Sequence, residues 1–529
     1  MRESQDAEPE ELEEPEEPEE SEESAGPPDG EAGHLREIGR KAGRGLGWSL
    51  LGTLATRAGS FLMGLVLARL LSPEDFGIYA VALAATQFVM VVKDIGVMAA
   101  VVQWRGRLED VAPTATTLSM ISALTLYGAF YVGAPYFSSL AGSEEATPVV
   151  RLLTAVILIE AVTAVRSATL LRRFHVGKSA KAILAGFLVN APVAIALAAE
   201  GAGPYSFAWG QVAGAVVTGV FMLAYARLPW RLGFDRGVAK KLLWFGIPSA
   251  AGIALEIMLL NVGYIIVGAI MGPDWLGFYL MAFNVSSWVP GLIGTAIRSV
   301  SIAGFSRLAE RDEQSLSLGV QKSVPMLITA ILPLAVAMAV LAHPLIYFLY
   351  GEKWGQAAGV LRFLAVLMVV RMLTSFALDI LNGQGATRST VWMNLGYGVA
   401  LIPAVIVGTH LDGIRGAAVG QAAAALLVAL PLAMLAVQRT GVRLRPILPQ
   451  LVRPFAGAAV SFAVTVGLAT LTGGSQFLQL VVGGAGGLLV YVLIVVPLHQ
   501  MRTVGGHMME RLPAGHRHPV PVEATAKEH

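Results

Sequence analysis

Long apolar runs alternate with short polar turns from Leu46 to Leu498. A helix crossing the hydrocarbon core of a bilayer needs about 20 apolar residues. Runs of that kind fall at 46–71, 76–103, 111–138, 148–171, 180–199, 204–227, 242–271, 276–305, 320–349, 355–382, 389–409, 413–437, 450–471 and 477–498. The pattern predicts an all-α integral membrane protein of about 14 transmembrane helices.

Charge then orients the spans. One set of turns holds Arg105 and Arg107, Arg172, Arg173, Lys178 and Lys181, the run from Arg227 to Lys241, Arg307 and Arg311, Arg388, and Arg439, Arg443 and Arg445. The alternate turns hold Glu74 and Asp75, Glu144 and Glu145, Glu200, Asp274, Glu352 and Asp412, with little beyond Lys353 on the basic side. Excess Lys and Arg marks the cytoplasmic side, so the basic set and both termini are expected inside the cytoplasmic membrane of a bacterium. Since the bias alternates through every turn, an odd error in the span count would invert it downstream.

Composition removes whole classes of function. With 55% hydrophobic and 14% charged residues, a water-soluble globule is excluded, and nucleic acid is not an expected partner. The near balance of 38 basic and 37 acidic residues hides an acidic leader at 1–33, rich in Glu and Pro, which is expected to be disordered. A basic juxtamembrane segment follows at 34–45, and no secretory signal peptide is visible. No cysteine is present, which excludes disulfides and thiolate metal sites. The histidines of the tail, His507, His516 and His518, are too loosely spaced, and too short of partners, to predict a metal. The chain lacks a Walker-type phosphate loop, a Ser-His-Asp constellation and an HExxH motif. Neither an enzyme nor a cofactor is expected.

The chain also repeats itself. Arg69-Leu-Leu-Ser-Pro-Glu-Asp-Phe-Gly-Ile-Tyr-Ala-Val-Ala82 aligns with Ala269-Ile-Met-Gly-Pro-Asp-Trp-Leu-Gly-Phe-Tyr-Leu-Met-Ala282, matching Pro73 to Pro273, Gly77 to Gly277 and Tyr79 to Tyr279. Both copies sit between the first and second helix of a six-helix set, and six is even, so the copies share one orientation. The expected organisation is two parallel six-helix lobes around a central cavity, at 46–229 and 242–438, joined by a basic loop at 230–241. A helix pair at 439–498 and a cytoplasmic tail at 499–529 complete it.

The segments Leu67-Ala-Arg-Leu-Leu-Ser-Pro-Glu-Asp-Phe-Gly-Ile-Tyr79, Lys93-Asp-Ile-Gly96, Leu276-Gly-Phe-Tyr279, Phe305-Ser-Arg-Leu308 and Gly351-Glu-Lys-Trp354 resemble the polysaccharide-export branch of the multidrug/oligosaccharidyl-lipid/polysaccharide exporter superfamily. The similarity runs from about residue 46 to about residue 440 and does not extend to the leader or, residue by residue, to the last two helices. The resemblance implies a Wzx-type flippase that moves a polyprenyl-pyrophosphate-linked oligosaccharide by alternating access. Its expected partners are that glycan, the bilayer, and polysaccharide polymerase or glycosyltransferases of envelope synthesis. In related lipid II flippases a cationic cavity fed by helices 1, 2 and 8 holds the pyrophosphate, and helices 13 and 14 border a groove for the prenyl tail; here helices 1, 2 and 8 carry Arg57, Lys93 and Arg298.

Ionisable groups at bilayer depth, at about 3 kcal/mol each on the insertion scale, are expected to face a cavity or a partner. Arg57 belongs to a polar stripe on helix 1 with Ser49, Thr53, Ser60 and Gly64, and helix 8 repeats the stripe with Asn284, Ser287, Gly291, Thr295 and Arg298. Arg57, Glu160 and Glu256 read as cavity-lining ahead of structural ion pairs. Lys93 and Arg298 lie nearer the cytoplasm, where snorkelling competes, while Arg69 is expected to anchor its turn through Glu74 or Asp75. Arg166 and Arg371 complete the candidate substrate-binding set, Arg371 meeting a neighbouring helix. Two further functions stay open at this level: a cation-coupled multidrug exporter using Glu160 and Glu256, and a non-transporting scaffold for envelope biosynthesis. A cationic cavity favours the flippase, and an acidic one the exporter.

Overall fold

Ser72 and Asp75 fix the sharpest boundary in the chain. The Ser72 Oγ accepts from the Asp75 N–H at 3.1 Å, while the Ser72 N–H donates to Asp75 Oδ2 at 2.8 Å. This reciprocal cap ends one helix and starts the next, with Pro73 at the first helical position, where its missing N–H loses no helical bond. The computed structural model describes residues 52–94, 107–173, 175–226, 231–288, 313–384 and 386–496, with positions 101, 104, 228 and 291. The leader, the basic segment before the first helix, the tail with its histidines, and Arg298 lie outside the described residues.

The helices follow in order: α1 (52–70), α2 (Pro73–Asp94), α3 (Leu108–Leu140), α4 (Ala146–Thr154), α5 (Val156–Arg172), α6 (Val176–Ala199) and α7 (Tyr205–Ala226). A second set comprises α8 (Arg236–Met271), α9 (Pro273–Ser286), α10 (Glu313–Val340), α11 (Ala342–Tyr350), α12 (Gly355–Gly383), α13 (Thr387–Ala424) and α14 (Leu430–Gln438). The last pair is α15 (Leu448–Leu471) and α16 (Gln476–Val495). No strand occurs among the described residues, and ten helical stretches there are long and apolar enough to cross a membrane. The fold is thus an all-α polytopic membrane protein. The expected spans 76–103 and 276–305 are described only in part.

Within α13 the backbone leaves the helix at Asp412 and Gly413, the latter at φ 56°, a conformation that a Cβ disfavours. The chain reverses there, which divides the expected spans 389–409 and 413–437. Small residues let the two arms touch: Gly408 and Gly416 meet backbone to backbone. Close approach of Gly and Ala backbones is how helices associate in lipid, where no hydrophobic effect drives them together.

The loop between the two sets is tied down as well. Asp235 caps α8 by accepting from the Val238 N–H at 2.9 Å, and its own N–H donates to Thr114 Oγ1 on α3 at 3.1 Å. The last pair docks on α10, where the Tyr491 hydroxyl donates to the Thr329 carbonyl at 3.0 Å. The largest buried core lies at the end of the bundle that holds the α1–α2 turn. It joins Leu67, Ala68 and Phe76 of the first set to Leu276, Tyr279 and Trp354 of the second.

Candidate functional site

The polar stripes of α1 and of α9 with its continuation meet. Thr56, Arg57, Ser60 and Gly64 face Asn284, Ser287, Trp288 and Gly291 across a cavity of about 710 Å³. The Arg57 guanidinium lies against Gly291, where an added Cβ would fall 2.3 Å from Nη1. Phe61 and Trp288 pack edge to face at 4.3 Å between centroids. Tyr79, Asn190 and Gln211 extend the lining toward the α1–α2 turn. Arg57 is the only charged residue among the described residues lining this cavity, and it makes no ion pair with any described residue.

One end of the bundle is pinched shut. The Trp354 indole, fully buried, donates to the Ala68 carbonyl at 2.9 Å and packs its ring on Phe76 at 4.9 Å and Phe278 at 5.9 Å. Lys353 Nζ donates to the carbonyls of Leu71 at 2.8 Å and Arg69 at 3.1 Å. Arg69 donates to the Leu349 carbonyl at 3.1 Å, so it anchors the second set of helices and not the Glu74 or Asp75 carboxylate expected from its position. At the seam, Gly77 and Gly277 face each other through the repeat: a Cβ on either would lie 1.8 Å from the carbonyl oxygen of Pro273 or Pro73. The turns at this end carry the acidic residues. Burial, and then the neighbouring carboxylates of Asp274, Glu145 and Asp75, raise the Glu74 pKa above the usual carboxylate range.

The remaining candidates separate. Lys93, only 4% exposed, pairs with Glu160 at 3.3 Å. Neither is among the described residues that line the Arg57 cavity; the pair is the reading that competed with cavity lining for Glu160, and a Lys93 only 4% exposed does not snorkel. Arg166 is buried on α5 and donates to the Val162 carbonyl one turn back at 3.0 Å. Glu256 and Arg371 line a second cavity of about 110 Å³ with Asn394, Tyr397 and Gln421, and the Arg371 guanidinium sits 5.5 Å from the Phe283 ring of α9. Arg371 does meet a neighbouring helix, although through an aromatic face.

Counting charges alone missed the neutral amides Asn190 and Gln211. Single amides inside apolar helices carry the same signal in weaker form, because an unpartnered amide in hydrocarbon is costly too.

Residues 66–359 match the family model described as polysaccharide biosynthesis protein. The succinoglycan biosynthesis transport protein ExoT of Rhizobium meliloti (strain 1021) is 26% identical over 374 residues, covering 70% of this chain and 74% of that protein. The lipopolysaccharide biosynthesis protein WzxC of Escherichia coli (strain K12) is 20% identical, covering 71% and 77%. Among solved structures, lipid II flippase MurJ in an inward closed conformation shares the fold with a TM-score of 0.71 at 14% identity, covering 88% of this chain and 99% of that one. A multidrug resistance MATE transporter of the MOP superfamily, in an inward-facing conformation, gives 0.57 at 18% identity, covering 74% and 98%. With a matched segment that takes in more than half of the residues, the chain belongs to the family described as polysaccharide biosynthesis protein.

Proposed function

We propose that this protein is a flippase that carries a polyprenyl-pyrophosphate-linked oligosaccharide across the cytoplasmic membrane by alternating access. The observation that carries the reading is the charge of the Arg57 cavity: the one charged residue among its described lining residues is the cation Arg57. An amphiphilic cation would be repelled there, whereas a pyrophosphate is attracted. At about 4 Å and an effective dielectric of about 20, the attraction is about 4 kcal/mol per unit charge before desolvation. A guanidinium also offers a planar fork of donors that matches phosphate oxygens.

In this reading the closed acidic end faces outward and the basic turns face the cytoplasm. The substrate enters with its headgroup in the cavity and its prenyl chain left in lipid. Separation of the seam at Gly77 and Gly277 then exposes the headgroup to the other side. The relatives named for succinoglycan transport and lipopolysaccharide biosynthesis support the substrate class.

The reading is tested in the native host. Depletion of the protein is expected to accumulate a lipid-linked glycan on the cytoplasmic leaflet, and Arg57→Ala at normal membrane abundance is expected not to relieve it. Arg57→Lys restores part of the export, because charge is kept and the fork is lost. Full relief by Arg57→Ala, or depletion without accumulation of such a lipid, would contradict the proposal.

A further inference from the structure

The internal repeat duplicates a polar constellation as well as a helical framework. In the first set Tyr79 of α2, Asn190 of α6 and Gln211 of α7 line the Arg57 cavity, and Gln211 pairs with the Tyr79 hydroxyl at 2.6 Å. In the second set Tyr279 of α9 donates to Gln421 Oε1 of α13 at 2.5 Å, while Gln421 and Asn394 line the smaller cavity. The same residue types recur in the same order on corresponding helices.

The two copies differ in what they leave free. Tyr279 is 1% exposed, and its hydroxyl proton is spent on Gln421. That copy holds α9 to α13. In the first copy the Tyr79–Gln211 pair lines the cavity, so its remaining donor and acceptor capacity faces that space whichever amide atom meets the Tyr79 hydroxyl. The Tyr79 ring is locked by stacking on Phe207 at 4.1 Å, with 12° between the planes, so its hydroxyl is presented from a fixed position. Asn190 adds a further neutral donor and acceptor, and Phe76 and Phe207 supply the aromatic wall at this end of the cavity.

A rigid phenol hydroxyl, two amides and an aromatic wall, with no charge besides Arg57 among the described lining residues, match a neutral pyranose. Its hydroxyls bridge the amides, and its apolar C–H face lies on an aromatic ring. The two subsites are separated along the helices. At 1.5 Å per residue, Arg57 lies roughly 20 Å from the α1–α2 turn and Tyr79 roughly 9 Å from it.

From this duplication and divergence we infer that Tyr79, Asn190 and Gln211 form a sugar-binding subsite toward the closed end of the cavity, distinct from the phosphate subsite at Arg57. The inference rests on the flippase reading and adds a polarity to it: the glycan points at the closed end, and the phosphates trail toward the basic end. Specificity for the glycan then resides in neutral side chains of α2, α6 and α7.

The test uses the full-length protein in lipid nanodiscs and two separate probes. Saturation-transfer NMR is recorded with methyl glycosides of glucose, galactose and N-acetylglucosamine, and inorganic pyrophosphate binding is measured by calorimetry. At least one glycoside is expected to receive saturation from wild-type protein. Its signal is expected to fall about fivefold in Gln211→Leu and in Tyr79→Phe, the loss of one hydrogen bond, with pyrophosphate affinity unchanged. Tyr79→Phe keeps the ring stack, which separates lost recognition from lost packing. Arg57→Ala is expected to do the reverse. Absence of any glycoside signal from wild type, or an undiminished signal in both variants, would overturn the subsite. Failure of pyrophosphate alone to bind would count against the phosphate role of Arg57 and leave the sugar subsite standing.

Discussion

Arg57 and Lys93 are both cations inside apolar helices, and the structure gives them opposite surroundings. Lys93 has a carboxylate at 3.3 Å, and Arg57 faces a cavity. Breaking a buried pair leaves one charge uncompensated, whereas replacing both partners removes the problem. Because the Glu160 carboxylate left behind is 41% exposed, Lys93→Met alone is expected to lower stability by only about 1 kcal/mol, and the double variant Lys93→Met/Glu160→Leu to recover most of it, as measured by thermal unfolding in detergent. An unchanged midpoint in the single variant would remove the pair from the account. A second test concerns Glu74, whose folded-state pKa is raised by burial and by neighbouring carboxylates. A raised carboxylate pKa costs stability once pH exceeds the folded value, and the cost vanishes below the unfolded value. Glu74→Gln is expected to raise the midpoint at about pH 8 and to leave it unchanged near about pH 4, and a gain that grew on acidification would contradict this. The candidate charges were legible in the sequence because an ionisable group in an apolar run stands out. Which of them pair was not, since Lys93 and Glu160 meet only through the packing of α2 on α5. Gln211 and Asn190 were passed over because an amide inside a helix carries no net charge to mark it.

At the level of elements, apolar run length located the helices well, because lipid enforces both length and internal hydrogen bonding. The capping pair at Ser72 and Asp75, and the turn at Asp412 and Gly413, fall where polar residues interrupt those runs. Breaks inside a run were passed over: the expected span 148–171 is divided at Ala155, after Thr154, into α4 and α5, and 320–349 at Leu341, just before His343 and Pro344, into α10 and α11. The repeat window did foresee a structural equivalence, since Gly77 and Gly277 face each other across the seam. Neither position has room for a Cβ. Gly77→Val is accordingly expected to hold the seam apart. The chain has no cysteine, so a single cysteine placed at Ser60 reports the change directly. Its labelling by a membrane-impermeant thiol reagent applied from the acidic side is expected to rise about tenfold over the parent. Equal labelling would show that the seam does not close the cavity.

For the whole molecule, the alternation of acidic and basic turns predicts which side each end faces. A reporter fused at Gly473 is expected outside, and one fused at Arg443 inside; both on one side would contradict the proposed topology. The account as a whole depends on a cationic cavity that admits a phosphorylated lipid headgroup and releases it on the opposite face. Its most direct test is transbilayer movement of an undecaprenyl-pyrophosphate oligosaccharide in vesicles reconstituted with the purified protein. Flipping is read as headgroup accessibility to an external glycosidase. Wild-type protein is expected to expose the inner-leaflet pool, and Arg57→Ala, equally inserted, to slow that exposure by about tenfold or more. Vesicles in which the wild type moves no such lipid, or in which Arg57→Ala moves it as fast, would contradict the account.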